Sequence, residues 1–141
     1  MTPELERRLS AVADKPKIAL PQRVQLRRTK GWRLPPNCVV VSRPSPFGNP
    51  FTLGDIILER GGRLDAQVAR TEAVRRFKVW LGLESDPAGR FTDLYPERKG
   101  AVLRRLPDLW GKDLACWCPL TYPDGSACPC HADVLLALAN L

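Results

Sequence analysis

Strand patterns alternate with helix patterns along this chain, and their order constrains its fold more than any other feature. Residues 38–42, CVVVS, form a short β-branched run that predicts a buried strand, and residues 113–118, DLACWC, predict another. Between them, apolar residues recur at helical spacing over about 65–82, behind Asp65 as a helix cap, with the arginines expected on other faces. The alternation predicts an α/β fold: a small single domain with a largely parallel central sheet flanked by helices.

Two segments are expected: an N-terminal helix and basic linker over residues 1–22, and an α/β domain over residues 23–141. In the first segment, apolar residues recur at helical spacing over about 2–13. The second segment adds three further elements, namely an edge strand around Val24 and Leu26, a helix opened by Pro96, and a final helix opened by His131.

Composition indicates a globular protein that is not embedded in a membrane. Of its 141 residues, 44% are apolar and 26% are charged, and no run reaches about 18 apolar residues. Residues 1–15 are charged and lack the apolar stretch of a secretory signal. We therefore expect a cytoplasmic protein with no membrane partner. Disulfides are rare in that compartment, so the five cysteines are expected to bind metal, react or pack.

Positive charge is concentrated near the N-terminus. The chain has a net charge of +7, and residues 15–33 hold seven Lys or Arg residues without one Asp or Glu. Burying so many unpaired cations is prohibitive, so this basic segment is expected to form one exposed positive face. Such a face favours contact with nucleic acid or another polyanion.

Two loops follow predicted strands, and in open α/β sheets ligands bind beyond the carboxyl ends of strands. The first, residues 43–51, contains three prolines and is expected to be rigid. Its candidate ligand-binding residues are Arg43, Ser45, Gly48 and Asn49. An arginine suits a phosphate because its planar guanidinium bonds two oxygens at once. In the alternative interpretation, the loop is a rigid turn whose Phe47 and Phe51 plug the core. These two loops are the proline-rich loop, residues 43–51, and the cysteine-rich loop, residues 116–130. If the strands are parallel neighbours, both loops face one cleft.

The cysteine-rich loop carries the reactive side chains, because residues 114–140 hold four of the five cysteines and the only histidine. Cys130 and His131 begin a predicted helix, where free amides favour an anion and are expected to lower the pKa of the Cys130 thiol. The candidate catalytic residues are therefore Cys130, His131 and Cys116, with Cys118 and Asp133 as candidate ligand contacts. In the alternative interpretation, Asp133 caps the helix and His131 is exposed.

Zinc is an alternative for the same residues. Cys116, Cys118, Cys130 and His131 offer the thiolate and imidazole ligands that zinc prefers. However, alternate residues of a strand point to opposite faces of a sheet, so a strand that persists through Trp117 keeps the first two thiols apart. We therefore expect no metal or other cofactor, with zinc as the alternative.

The motifs together resemble a known family. GWRLPPNCVVVSRPSPFGNPF, GKDLACWC and CHADVLLALAN are similar to the domain of unknown function 4326 family, which is common in bacteriophages and actinobacteria. The resemblance covers about residues 24–141, and it implies that Cys128 lies in a loop insert and is the least essential of the four clustered cysteines. The corner formed by the last strand and helix also resembles the domain of unknown function 488 family. Neither resemblance implies an established reaction.

These observations predict that the protein binds a phosphorylated ligand in a Cys/His cleft: a nucleotide, a nucleoside derivative or a nucleic-acid end. The sequence leaves catalysis and the oligomeric state open. One alternative is a zinc-stabilised nucleic-acid-binding module, which predicts bound metal and salt-dependent affinity. The other is a non-catalytic interaction protein whose cysteines merely pack, for which substitutions in the cleft change stability alone.

Overall fold

Three short strands form the centre of the structure, a computed structural model that describes residues 20–140. The strands are β1, Arg23–Gln25; β2, Cys38–Val40; and β3, Asp113–Cys116. β3 lies in the middle and pairs in parallel with both neighbours, so that Ala115 stands beside Val24 on one side and Val40 on the other. The predicted α/β fold with a parallel sheet is confirmed. The helix predicted over about 2–13 lies outside the described residues.

Helices surround this sheet in the described part of the chain. They are α1, Leu53–Glu59; α2, Ala66–Trp80; α3, Pro96–Arg105; and α4, His131–Ala139, with a 3-10 turn at Leu106–Leu109. At the start of α2, Asp65 Oδ1 accepts hydrogen bonds from the amides of Gln67 and Val68, as its capping role predicts. Pro96 begins α3, where its missing N–H costs nothing. Among residues 20–140, none of the helices has the length and apolar character needed to cross a membrane.

Two local predictions were wrong and one helix was missed. The predicted buried strand at residues 38–42 is shorter: β2 ends at Val40 and is a partly exposed edge strand, whereas Val41 and Ser42 after it are buried. The sequence patterns did not predict α1. Its N-cap is Thr52, directly after the proline-rich loop, and the Oγ1 of Thr52 accepts a hydrogen bond from the Asp55 amide. β3 ends at Cys116 instead of continuing through Trp117, so the chain bends at the cysteines.

The main core lies between the sheet and helices α2 and α4. Phe77 and Trp80 of α2 are fully buried, and Phe51 packs edge-on against Trp80 with 6.1 Å between the ring centroids. The indole Nε1 of Trp80 donates to the carbonyl of Leu94 at 2.6 Å, so its one polar atom is satisfied. Burying an aromatic side chain contributes on the order of 2–3 kcal/mol. This packing holds the proline-rich loop against α2.

A buried arginine ties α2 to α1. Arg76 is only 5% exposed, although the sequence predicts that the arginines of α2 lie away from its buried apolar face. Its guanidinium donates to Glu59 of α1 at 2.8 and 3.1 Å and to Glu72 of α2 at 3.0 Å. Hydrogen bonds from Arg75 and then Arg76 lower the pKa of Glu72 to about 2. The buried cation is thus paired with carboxylates that stay charged, which offsets its desolvation.

Replacing Glu72 with Gln should lower the free energy of unfolding by about 1–3 kcal/mol, because part of the buried Arg76 guanidinium loses its charged partner. The depressed pKa of Glu72 gives a stabilisation that is fully present above the ordinary value of 4.5 and is lost as the pH falls toward about 2. Urea unfolding of both proteins at neutral and at acidic pH measures this, and the difference between them should shrink at acidic pH.

The matched control is Glu97→Gln, a change at an exposed residue in the first turn of α3. Its free energy of unfolding should stay within about 0.5 kcal/mol of wild type. Equal stability of Glu72→Gln and wild type at neutral pH would contradict the assigned role of Glu72.

Candidate functional site

One cleft opens beyond the carboxyl ends of β2 and β3. Because these strands are parallel neighbours, the loops that follow them leave the sheet at the same edge. The two loops and α2 enclose a cleft of about 210 Å³. Its lining includes Arg43, Asn49, Arg70, Cys116, Trp117, Cys118, Cys130 and His131. The prediction that both loops face a single cleft is confirmed.

The two cysteines at the end of β3 lie together. Cys116 is the last residue of the strand, and the chain bends through Trp117 and Cys118. The Sγ atoms of Cys116 and Cys118 are consequently 3.9 Å apart. The prediction that these thiols diverge was wrong, because it assumed a strand that persists through Trp117.

The histidine at the start of α4 is buried. His131 is 6% exposed, and its ring packs edge-on against Phe77 with 5.3 Å between centroids. Its Nε2 lies 2.8 Å from the carbonyl oxygen of Val41, the residue after β2. A carbonyl can only accept, so Nε2 carries the hydrogen, and in the neutral ring Nδ1 presents a lone pair. The alternative in which His131 is exposed was therefore wrong.

Nδ1 of His131 faces the thiols. It lies 3.7 Å from Cys130 Sγ, and the ligand atoms of Cys116, Cys130 and His131 are all within 4.8 Å of one another. Cys130 is the N-cap of α4, and its sulfur accepts from the amide of Ala132 at 3.5 Å. Cys116, Cys118, Cys130 and His131 are called the Cys/His cluster below.

Within the Cys/His cluster, Cys116 most readily carries a negative charge. Hydrogen bonds from the thiols of Cys118 and then Cys130 hold the pKa of Cys116 well below its ordinary value. Donating to Cys116 stabilises the protonated thiols of Cys118 and Cys130. The pKa of Cys118 is therefore raised to about 11, and the pKa of Cys130 is raised as well. The sequence predicts a lowered pKa for Cys130 at the helix start, but the neighbouring thiolate outweighs the helix amides.

Asp133 and Arg23 fix the start of α4. Asp133 Oδ2 accepts from the Cys130 amide at 3.2 Å, which closes a capping box. Arg23 Nε lies 3.2 Å from Asp133 Oδ1. The same guanidinium donates to three carbonyls in the loop after β3, those of Pro119, Leu120 and Cys128. Both carboxylate oxygens of Asp133 are thus engaged at the start of the helix. Asp133 is not among the described residues that line the cleft, so the structure does not place it as a ligand contact.

The basic segment is only partly the exposed face that the sequence predicts. Arg23 is half-buried by these contacts, so the prediction was wrong at that residue. Four other cations are exposed, namely Arg27, Arg28, Lys30 and Arg33. Lys15 and Lys17 lie outside the described residues.

Asn49 holds the proline-rich loop in place. Its Nδ2 donates to the Ala73 carbonyl of α2 at 3.1 Å, and its Oδ1 accepts from the Phe51 amide at 3.0 Å. Phe47 and Phe51 are both buried, so the loop does plug the core as the alternative interpretation states. Asn49 lines the cleft, but both ends of its amide are already used by backbone groups.

Arg43 is the residue of this loop whose side chain is exposed at the cleft. Ser45 Oγ instead accepts from the Phe47 amide at 3.2 Å, inside the loop. A Cβ at Gly48 would lie 2.6 Å from Arg43 Cγ, so glycine lets the loop fold over the Arg43 side chain rather than over a ligand. Of the candidates in the loop, Arg43 is therefore the best placed to meet an anion.

Two further residues line the cleft and are absent from the predicted site. Arg70 of α2 reaches it from the side, with its Nη1 3.5 Å from Cys128 Sγ. Trp117 stands at the rim, and the Arg28 guanidinium lies 4.9 Å from the centre of its ring. The position of Trp117 between two candidate cysteines could have identified it as a site residue from the sequence. No sequence signal identifies Arg70, because only the packing of α2 brings it to the cysteines.

Comparison with known proteins identifies a family. The family model described as a domain of unknown function, DUF4326, matches residues 24–141. The matched range contains the whole Cys/His cluster and the proline-rich loop, and it agrees with the resemblance found in the sequence. Searches of the curated proteins and of the solved structures gave no match.

Asn49→Ala should lower the free energy of unfolding by about 1–3 kcal/mol, because it removes both hydrogen bonds that hold the loop to α2 and to itself. Ser45→Ala, which removes a single bond within the same loop, should cost less. Chemical unfolding of the two variants beside wild type measures the difference. A wild-type stability for Asn49→Ala would show that its side chain is free to serve a ligand instead.

Proposed function

The chain belongs to the DUF4326 family, a domain of unknown function, and from the geometry of its cleft we propose that it binds a phosphorylated ligand of the nucleotide class. The observation that carries the proposal is the charge of the lining. Arg43 and Arg70 both line the cleft, and the described lining residues include no Asp or Glu. Two guanidinium groups without a competing carboxylate favour an anion with several oxygens.

Arg70 and Arg43 line the cleft from different elements of the fold. Arg70 lies on α2 and is partly buried, whereas Arg43 lies on the proline-rich loop and is exposed. An anion in the cleft offers both guanidinium groups charged acceptors. Because the Nε of Arg70 is buried, the contact with the ligand is assigned to its Nη atoms.

The size and rim of the cleft favour a nucleotide. A cleft of about 210 Å³ is smaller than the roughly 300–1,000 Å³ of sites for drug-sized ligands, so it suits the phosphate and part of one nucleotide, with the rest at the rim, and not a dinucleotide. Trp117 at the rim offers a ring on which a base can stack. Arg28 lies over the same ring and connects the exposed basic segment to the cleft, which favours the end of a nucleic-acid strand among such ligands.

The proposed role is binding rather than nucleophilic catalysis. Cys116, Cys130 and His131 are all buried, and their reactive atoms face one another. A nucleophile must reach the atom that it attacks. These residues form the floor of the cleft, and the arginines at its sides are the groups assigned to the ligand.

Isothermal titration with inorganic phosphate, a nucleoside 5′-monophosphate, the parent nucleoside and a short 5′-phosphorylated oligonucleotide tests the proposal. The phosphorylated compounds should bind and the parent nucleoside should bind more weakly. Arg43→Gln and Arg70→Gln should each weaken phosphate-dependent binding by about 10–100-fold, because each removes a charged hydrogen bond of about 1.5–3 kcal/mol.

Arg63→Gln is the matched control, since Arg63 is exposed in the segment between α1 and α2 and is not among the described lining residues. It should bind like wild type. If neither cleft variant differs from Arg63→Gln, or if wild type binds none of the four compounds, the proposed function is wrong.

A further inference from the structure

The Cys/His cluster gathers soft ligand atoms at one point. The Sγ atoms of Cys116 and Cys118 are 3.9 Å apart, and Cys130 Sγ is 3.7 Å from His131 Nδ1. Around a tetrahedral zinc ion, the usual bond lengths place two sulfurs about 3.8 Å apart and a sulfur and a nitrogen about 3.6 Å apart. These two pairs are therefore spaced as a bound zinc ion would space them, and the ligand atoms of Cys116, Cys130 and His131 all lie within 4.8 Å of one another.

The orientation of His131 is that of a metal ligand. Its Nε2 donates to the Val41 carbonyl at 2.8 Å, and Phe77 packs against the ring. In metal sites, the imidazole nitrogen that does not bind the ion usually makes such a hydrogen bond, which fixes the ring and its tautomer. Because the ring is buried and held on two sides, the lone pair of Nδ1 stays directed at the thiols.

We propose that Cys116, Cys118, Cys130 and His131 bind one zinc ion through three thiolates and Nδ1. Zinc fits this set because it prefers four thiolate and imidazole ligands in a tetrahedron. Three thiolates, a neutral imidazole and Zn²⁺ give a centre with one net negative charge, and any proton still held by a thiol is released to solvent on binding. Arg70 lines the cleft beside Cys118 and offsets that charge. The zinc site does not depend on the phosphorylated ligand proposed above.

The other two cysteines show the contrast with ordinary packing. Cys38 is half-buried on β2, and Cys128 is buried with its sulfur against Arg70 Nη1. Cys116, Cys130 and His131 have ligand atoms within 4.8 Å of one another, and Cys118 joins them through its sulfur, 3.9 Å from Cys116 Sγ; among the described residues, neither Cys38 nor Cys128 belongs to that group. Packing alone does not require three sulfurs to converge with an imidazole nitrogen, whereas a metal does.

Two measurements on the untagged, full-length protein test the site. Elemental analysis after purification from zinc-containing medium without chelator should find about one zinc per chain. Exchange of that zinc for Co²⁺ should give thiolate-to-cobalt absorption in the near ultraviolet and the strong visible bands of tetrahedral cobalt. Chelation should lower the melting temperature of the protein, because a metal bound by the folded state alone stabilises it.

Cys118→Ser tests the fourth ligand with the least risk to the fold, since Cys118 is partly exposed and lies outside the helices and strands. The variant should bind Co²⁺ at least about tenfold more weakly than wild type, because even outer-shell changes cost about 10–100-fold. Cys38→Ser is the matched control and should keep the metal content and the cobalt spectrum of wild type.

Substoichiometric zinc together with no thiolate-to-cobalt absorption in folded wild type would overturn the proposal. A wild-type cobalt affinity and spectrum for Cys118→Ser would overturn the assignment of the fourth ligand. If Cys118→Ser fails to fold, the wild-type cobalt spectrum still decides, because the thiolate absorption is present only when cysteines bind the ion.

Discussion

The hydrogen bond from His131 Nε2 to the Val41 carbonyl is the contact on which the site depends. It joins the first residue of α4 to the chain just after β2, and so it brings the last helix to the edge of the sheet where the loops emerge. It also sets the tautomer of the ring, which leaves Nδ1 for the thiols of Cys116 and Cys130. Without it, the ring would lose the contact that directs Nδ1 at the thiols.

Two kinds of charge meet in this cleft, and their proximity follows from the fold. Parallel strands deliver the proline-rich loop and the cysteines to one edge, and α2 adds Arg70 from the side. In our account, a zinc–thiolate floor with one negative charge lies among two arginines. The guanidinium groups exceed the charge of the floor, so the cleft retains an attraction for an anion.

The sequence predicts the broad arrangement better than the local geometry. Strand–helix alternation was enough to predict the parallel sheet, and the strand-end rule was enough to bring Arg43 and His131 to one cleft. The prediction for Cys116 and Cys118 failed because alternation along a strand says nothing about where the strand ends. Only the alternative interpretation placed His131 at the surface, and it failed because the position of a helix relative to the sheet decides whether its first turn is buried.

Long-range packing accounts for what the sequence pattern missed at the site. Arg70 and Cys128 are 58 residues apart and meet only because α2 packs next to the cysteine-rich loop. Arg23 belongs to a basic segment by composition, yet its guanidinium is held by carbonyls near residue 120 and by Asp133. Such contacts form only in the folded tertiary structure, so the periodicity and residue spacing of the sequence cannot predict them.

The imidazole of His131 gives the most direct measurement of the central claim, because it is the only histidine in the chain. A long-range proton–nitrogen NMR spectrum of the ¹⁵N-labelled protein at neutral pH reports which ring nitrogen carries the hydrogen. The account predicts a hydrogen on Nε2 and none on Nδ1. A hydrogen on Nδ1, or on both nitrogens, would contradict it, because no lone pair would then face the thiols.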